Sequence, residues 1–181
     1  MTASKKGSRE PRARKTRPIV SSAHLVSSER GALSEFEFGL IIASHAFDRW
    51  IVRCMAAAGI VDLGPLDVLV LHGVNHRGRA KKLADICLVL NVEDTHTVSY
   101  SLRKLAKLGL VSGARKGKEI FYSPTDEGIA VCARYREVRE DCLIKSLSVL
   151  GYGERDIGDL ADLLRALSGL YDQAARAAAS L

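Results

Sequence analysis

A chain of 181 residues with 47% apolar side chains and a formal net charge of +6 is long enough to bury a real core, which excludes a small disulfide-stapled scaffold. Its four cysteines, Cys54, Cys87, Cys132 and Cys142, are widely spaced and form no CxxC pair, so a reduced, cytoplasmic protein is expected. No run approaches the ~18 apolar residues of a membrane span, and no apolar signal core follows the basic N-terminus, so neither membrane contact nor secretion is expected.

The position of the charge says more than its total. Residues 1–18 carry Lys5, Lys6, Arg9, Arg12, Arg14, Lys15 and Arg17 against Glu10 alone, and the remaining chain sums to zero. That neutral body is uneven: residues 19–76 sum to −3, 77–120 to +6 and 121–181 to −3. A basic middle between acidic flanks is the pattern of a segment that meets a polyanion.

In chain order, residues 1–24 read as a disordered basic arm without apolar periodicity. Ser34-x-x-Glu37 reads as a capping box that opens a long helix with Phe36, Leu40, Ala43, Phe47, Trp50 and Cys54 on its apolar side, ending at Gly59. Pro65 suits the first turn of a second helix reaching about His76, and "HRGR" breaks it. A third helix is expected over about 80–90. A fourth starts at the N-cap Asp94 and stops at Gly109, with Val98, Ser101, Leu102 and Leu105 on one face and His96, Tyr100, Arg103 and Lys107 in line on the other. "LVSGARKGKEIFYS" reads as two short strands around a turn at Lys116-Gly117. Thr125 then caps a helix to about Leu150, and a last helix from about Glu154 carries Ile157, Leu160, Leu164, Leu167 and Tyr171.

Helix, turn, helix and basic hairpin together form a device that holds one helix in a major groove while the hairpin touches the backbone beside it. A helix used only for packing needs no aligned His, Tyr and Arg opposite its apolar face. On that ground His96, Tyr100 and Arg103, helped by Thr95, Thr97 and Ser99 near the helix start, are candidates for base edges. Lys104, Lys107, Arg115, Lys116 and Lys118 are candidates for phosphates, and Arg79, Lys81 and Lys82 flank a helix N-terminus where an anion is favoured.

The stretches "KKLADI", "TVSYSLRKLAKLGLV" and "SPTDEG" resemble the winged-helix transcription regulators of the MarR family, and the likeness covers about residues 34–181. The spacing between the first two stretches is about one helical turn longer than is usual in that family, and the wing lacks its Asp-x-Arg tip. The resemblance implies a mainly α fold: a winged helix-turn-helix with a short β-hairpin wing over residues 61–128, and long dimerisation helices over 34–60 and 129–181. It further implies a homodimer on a pseudo-palindromic double-stranded DNA site, and a small-molecule effector pocket between dimer helices and reader domain. Phe47 and Trp50 are expected as core or dimer contacts and are candidates for the wall of that pocket.

Other constellations are weaker. His72 and His76 stand four apart without a third ligand at metal spacing, so neither a metal site nor a cofactor is expected. The cysteines read as small buried hydrophobes. No phosphate-cradling glycine loop or nucleophile elbow is present, so no enzyme is expected. Two alternatives compete with a sequence-reading regulator: a winged-helix module that binds protein, and an architectural protein that binds DNA without regard to sequence.

Overall fold

The computed structural model describes residues 31–181, so the N-terminal arm over 1–24 lies outside the described residues. The chain divides into two compact units, Met1–Asp48 and Arg49–Leu181. Of the first, the described part is the beginning of α1 (Gly31–Ala57), with Leu33, Leu40, Ile41, Ile42 and Phe47 exposed. The capping box expected at Ser34 is not used. The helix is already running at Gly31, so Ser34 sits within it, buried, and cannot cap its start.

All other elements belong to the second unit. α1 ends as its glycine foretells: Gly59 takes a φ of +100°, its N–H donates to the Ala56 carbonyl, and the Ile60 N–H reaches back to Met55. This left-handed cap satisfies carbonyls that the last turn would leave open. α2 (Pro65–Asn75) begins on its proline, where the missing N–H costs nothing. After a tight turn at His76–Gly78 come β1 (Lys81–Lys82) and α3 (Leu83–Leu90), then α4 (Thr95–Lys107), β2 (Val111–Lys116), β3 (Glu119–Pro124), α5 (Asp126–Cys142) and α6 (Glu154–Ala178).

Three expected boundaries move. Lys81 and Lys82 pair antiparallel with Tyr122 and Phe121 instead of opening α3, which puts β1 on the edge of a sheet ordered β1-β3-β2. The wing turn falls on Gly117-Lys118, because Lys116 pairs with Glu119 and Gly117 supplies the positive φ, +64°, at the first loop position. α5 stops at Cys142, and residues Ile144–Leu150 tighten into a 3-10 turn in which the Ser146 N–H donates to Leu143.

The core lies among α2, α4, α5 and the end of α1. Leu71, Val74, Val98, Leu102, Leu105 and Val131 have no accessible surface, and Ile51, Met55 and Ile86 close around them. One glycine fixes how the wing hands the chain on to α5. A Cβ on Gly128 would stand 2.1 Å from the Leu110 carbonyl oxygen, so only glycine fits the first turn of α5 there. Thr125 holds the same junction, its N–H on Leu110, its hydroxyl on the Gly109 carbonyl and its Oγ1 accepting from the Gly128 N–H. "SPTDEG" is the sequence trace of that lock. α6 differs from the rest, since none of its residues is buried.

Candidate nucleic-acid interface

α4 is built to present one face and bury the other. The Asp94 carboxylate accepts from the His96 N–H at 2.9 Å and the Thr97 hydroxyl donates to the Asp94 carbonyl at 2.7 Å, which fixes the first turn. Leu105 and Leu110 then clasp the far end, where Gly109 takes a φ of +73° and the Leu110 N–H bonds the Leu105 carbonyl. Between these caps Val98, Ser101, Leu102 and Leu105 are buried, while Thr95, His96, Thr97, Tyr100, Arg103 and Lys107 are exposed and Ser99 is half-buried. Tyr100 is 64% exposed, with its ring held off the core on the same outward line as His96 and Arg103.

An ion pair that sequence spacing does not reveal also ties α4 to α2. The Lys104 ammonium meets the buried Asp67 carboxylate of α2 at 2.7 Å, and the same carboxylate oxygen accepts from the Gly64 N–H at 2.9 Å. Burial pushes the Asp67 pKa up, but hydrogen bonds from Lys104, Ser101 and the Gly64 N–H outweigh it and hold the group below the usual carboxylate value. Lys104 is therefore a tether between α2 and α4, not a free phosphate contact. The available signal was Asp67 itself, an acid placed in the first turn of an otherwise apolar helix.

Lys81 is corrected in the same way. Its residue is 8% exposed, and its ammonium donates to the carbonyls of Val74 at 2.9 Å, Arg79 at 3.2 Å and His76. Three converging carbonyls hold the ammonium inward, where it closes the turn after α2 instead of facing an anion. Burial, with the nearby Arg79 charge, lowers its pKa. Lys82 does reach the surface, but at 2.6 Å from Glu119 of β3, a pair that ties the start of α3 to the wing.

The wing keeps its other cations outward. Arg115 donates from Nε to the Gly117 carbonyl at 3.2 Å, stiffening the turn, and Lys116 and Lys118 are exposed beside it. The Phe121 ring lies between two ammonium groups, Lys82 at 5.4 Å and Lys116 at 5.5 Å from its centroid. A groove of about 440 Å³ separates wing from reader helix, lined by Lys82, Leu83, Ala84, Thr95, Ser99, Glu119, Ile120 and Tyr122. Thr95, Ser99, Lys82 and the wing strand thus face one concavity, while Arg79 stands exposed beyond β1.

The remaining candidates are placed differently. Phe47 is exposed in the first unit and Trp50 packs half-buried against the core of the second. His72 lies edge-on to Tyr135 with ring centroids 4.5 Å apart, its pKa lowered by burial. Cys54, Cys87 and Cys132 are buried, with desolvation pushing Cys132 up to about 11, whereas Cys142 is exposed, against expectation, because α5 ends there. Among the described residues no group of three His, Cys, Asp or Glu is placed to hold a metal, and no helix is long and apolar enough to cross a membrane.

The winged helix DNA-binding domain family matches residues 63–128. No curated protein matches the chain in sequence. Among solved structures, the transcriptional repressor CouR bound to a 23-mer DNA duplex superposes with a TM-score of 0.62 at 20% identity, over 79% of this chain and 99% of that one. A mutant MarR from E. coli complexed with operator DNA gives 0.61 at 14% identity, over 78% and 99%. CouR from Rhodococcus jostii RHA1 bound to p-coumaroyl-CoA gives 0.58 at 13%, over 73% and 90%.

Proposed function

We propose that this chain, which carries a winged-helix DNA-binding domain within the fold of the MarR-family regulators, is a transcription regulator that reads a pseudo-palindromic operator as a homodimer. The observation that carries the reading is the outward line of α4: His96, Tyr100 and Arg103 project from a helix whose opposite face is fully engaged in the core. A groove-reading helix needs long polar side chains on a rigid support, and both are present. Thr95, Thr97 and Ser99 flank the same approach. Lys107, Arg115, Lys116 and Lys118 provide sequence-blind phosphate contacts, with Arg79 and Lys82 at the margin.

Dimerisation follows from the apolar stripes that the chain leaves exposed. Ile157, Leu160, Leu164 and Tyr171 of α6 are each more than a third exposed. An amphipathic helix that leaves most of its apolar stripe exposed is completed by a second copy, and two copies would set two α4 helices at half-sites about one helical turn apart. A small-molecule effector fits the same reading, since CouR of this fold has been solved both on DNA and with p-coumaroyl-CoA. Cytoplasmic residence and the absence of catalysis belong to it as well.

The test is selection of duplexes from a random pool by the full chain, followed by salt titration on the selected and on shuffled duplexes. A regulator prefers the selected sequence and loses affinity for both with salt. Equal affinity for both duplexes would leave only an architectural role, and no affinity for either would leave a protein-binding winged helix.

A further inference from the structure

Residues 95–124, which form α4 and the wing, hold six basic side chains, Arg103, Lys104, Lys107, Arg115, Lys116 and Lys118, and a single acid, Glu119. The nearest acid before them, Asp94, is spent on the cap of α4, where it accepts from the His96 N–H. A lone carboxylate on a surface that meets a polyanion opposes that meeting, so its place there needs a reason.

The sheet register fixes where the carboxylate stands. Glu119 opens β3 opposite Lys116 of β2, and Phe121, two residues on, is the β1 partner of Lys82. Residues two apart on a strand share a face, which puts Glu119 diagonal to Lys82 across the β1–β3 pairing. Its Oε2 meets the Lys82 ammonium at 2.6 Å. Glu119 is also the only acid lining the groove between wing and reader helix, whose other wall carries Thr95 and Ser99.

As a fastening of the fold this pair is weak. The two side chains are 38% and 54% exposed, and an ion pair so wetted contributes little to folding, while β1 is already joined to β3 through the backbone. As a control on charge it is strong. An ammonium neutralised by a neighbouring carboxylate displaces no counterion from DNA, so the pair withholds one phosphate contact from any duplex that the chain meets.

We propose that Glu119 is a specificity-determining residue that acts by positioning Lys82: it holds this cation back from phosphate and so limits affinity for DNA of unrelated sequence. The inference rests on the DNA reading above. Its effect differs between duplexes. On unrelated DNA the chain is held by phosphates alone and can take any register in which a freed Lys82 meets one, whereas on the selected site the base contacts of α4 fix the register.

The test titrates the full-length parent and Glu119→Gln with selected and shuffled duplexes across a series of salt concentrations. The variant should bind shuffled DNA at least about threefold tighter at low salt, with a salt slope steeper by about 1, and should gain less on the selected duplex. Lys82→Gln added to Glu119→Gln should return shuffled affinity to the parent's, because two glutamines carry the same net charge as the ion pair. Glu137→Gln makes the same change of net charge at an exposed position of α5 and should leave both affinities unaltered. Unchanged or weaker binding of shuffled DNA by Glu119→Gln overturns the proposal and reduces Glu119 to a fastening of the wing. Equal gains on both duplexes, a gain that survives the loss of Lys82, or the same gain from Glu137→Gln overturns it as well. A parent that binds no duplex overturns the DNA reading and this inference with it, whereas a parent that prefers the selected duplex beside an unaltered Glu119→Gln overturns the inference alone.

Discussion

α4 and α6 are both amphipathic, yet they meet opposite fates. In α4 the apolar stripe of Val98, Leu102 and Leu105 has no accessible surface, sealed by α2 and its neighbours. In α6 Ile157, Leu160 and Leu164 of the stripe are exposed, with no residue of the helix buried. Their polar faces differ as well, since α4 turns His96, Tyr100, Arg103 and Lys107 outward while α6 begins on Glu154, Asp156 and Asp159. One helix has its apolar face covered by its own chain and only its polar face exposed. The other leaves most of its apolar stripe exposed. Periodicity alone does not separate these cases, because a hydrophobic stripe says that a face will be covered without saying by what.

Substitution on the two stripes should break the contrast most sharply. Leu102→Ala removes a fully buried side chain and should cost about 2–5 kcal/mol of unfolding free energy, measured by denaturant melts. Leu164→Asp should instead leave the winged-helix core folded while abolishing association, because it puts a charge on a surface that a second copy would desolvate. Sedimentation decides the second case. A soluble, dimeric Leu164→Asp protein would remove α6 from the interface.

The Asp67–Lys104 tether sharpens the comparison one level down, since it adds a charged contact between α2 and α4 to the apolar packing of α4. Asp67→Asn keeps the shape and loses the charge, with an expected cost of about 1.5–3 kcal/mol, the range for hydrogen bonds to charged groups. The pH dependence has a definite sign. The folded-state pKa of Asp67 is depressed, so its contribution is fully present above the unfolded carboxylate value, near 3.9, and is lost as pH falls through the lower folded value. Melts from neutral to strongly acid pH should show the variant's deficit shrinking below about pH 4. A deficit that stays constant would mean that the charge contributes nothing.

Arg103→Ala tests the outward face itself. The expected loss is about 1–3 kcal/mol on the selected duplex, with a smaller loss on shuffled DNA, so that the gap between them narrows. Equal losses would move Arg103 from base edge to phosphate.

The same tether marks the limit of what the sequence can be read for. Helix boundaries set by local chemistry were legible: Asp94 and Gly109 bracket α4, Pro65 opens α2, and Thr125 caps α5. The buried and exposed faces of α4 were legible too, because a period of 3.6 sorts them. Features that depend on distant partners were not. β1 is two residues long and exists only because Lys81 and Lys82 find Tyr122 and Phe121 some forty positions later. Lys104 looks like any basic residue on a helix until Asp67, 37 positions away, is brought against it. Lys81 reads as a phosphate ligand until three backbone carbonyls are seen to surround it. Composition identified a basic segment correctly but could not tell which of its cations had already been used.

The wing provides the smallest effect and the cleanest separation of used from unused charge. Lys116 and Lys82 stand at nearly equal distances from the Phe121 ring, but only Lys82 has a carboxylate, Glu119, within ion-pair distance. If charge available to DNA is what matters, Lys116→Ala should weaken binding to selected and shuffled duplexes alike and lower the salt slope by about 1, one phosphate contact's worth of released counterion. Lys82→Ala should lower the slope less, because that cation is already shared with Glu119. Lys116→Ala exceeds Lys82→Ala in its effect only if the Lys82–Glu119 pair persists on DNA. Identical slopes for both would show that DNA draws Lys82 away from Glu119, making the tie between α3 and the wing one that opens on binding.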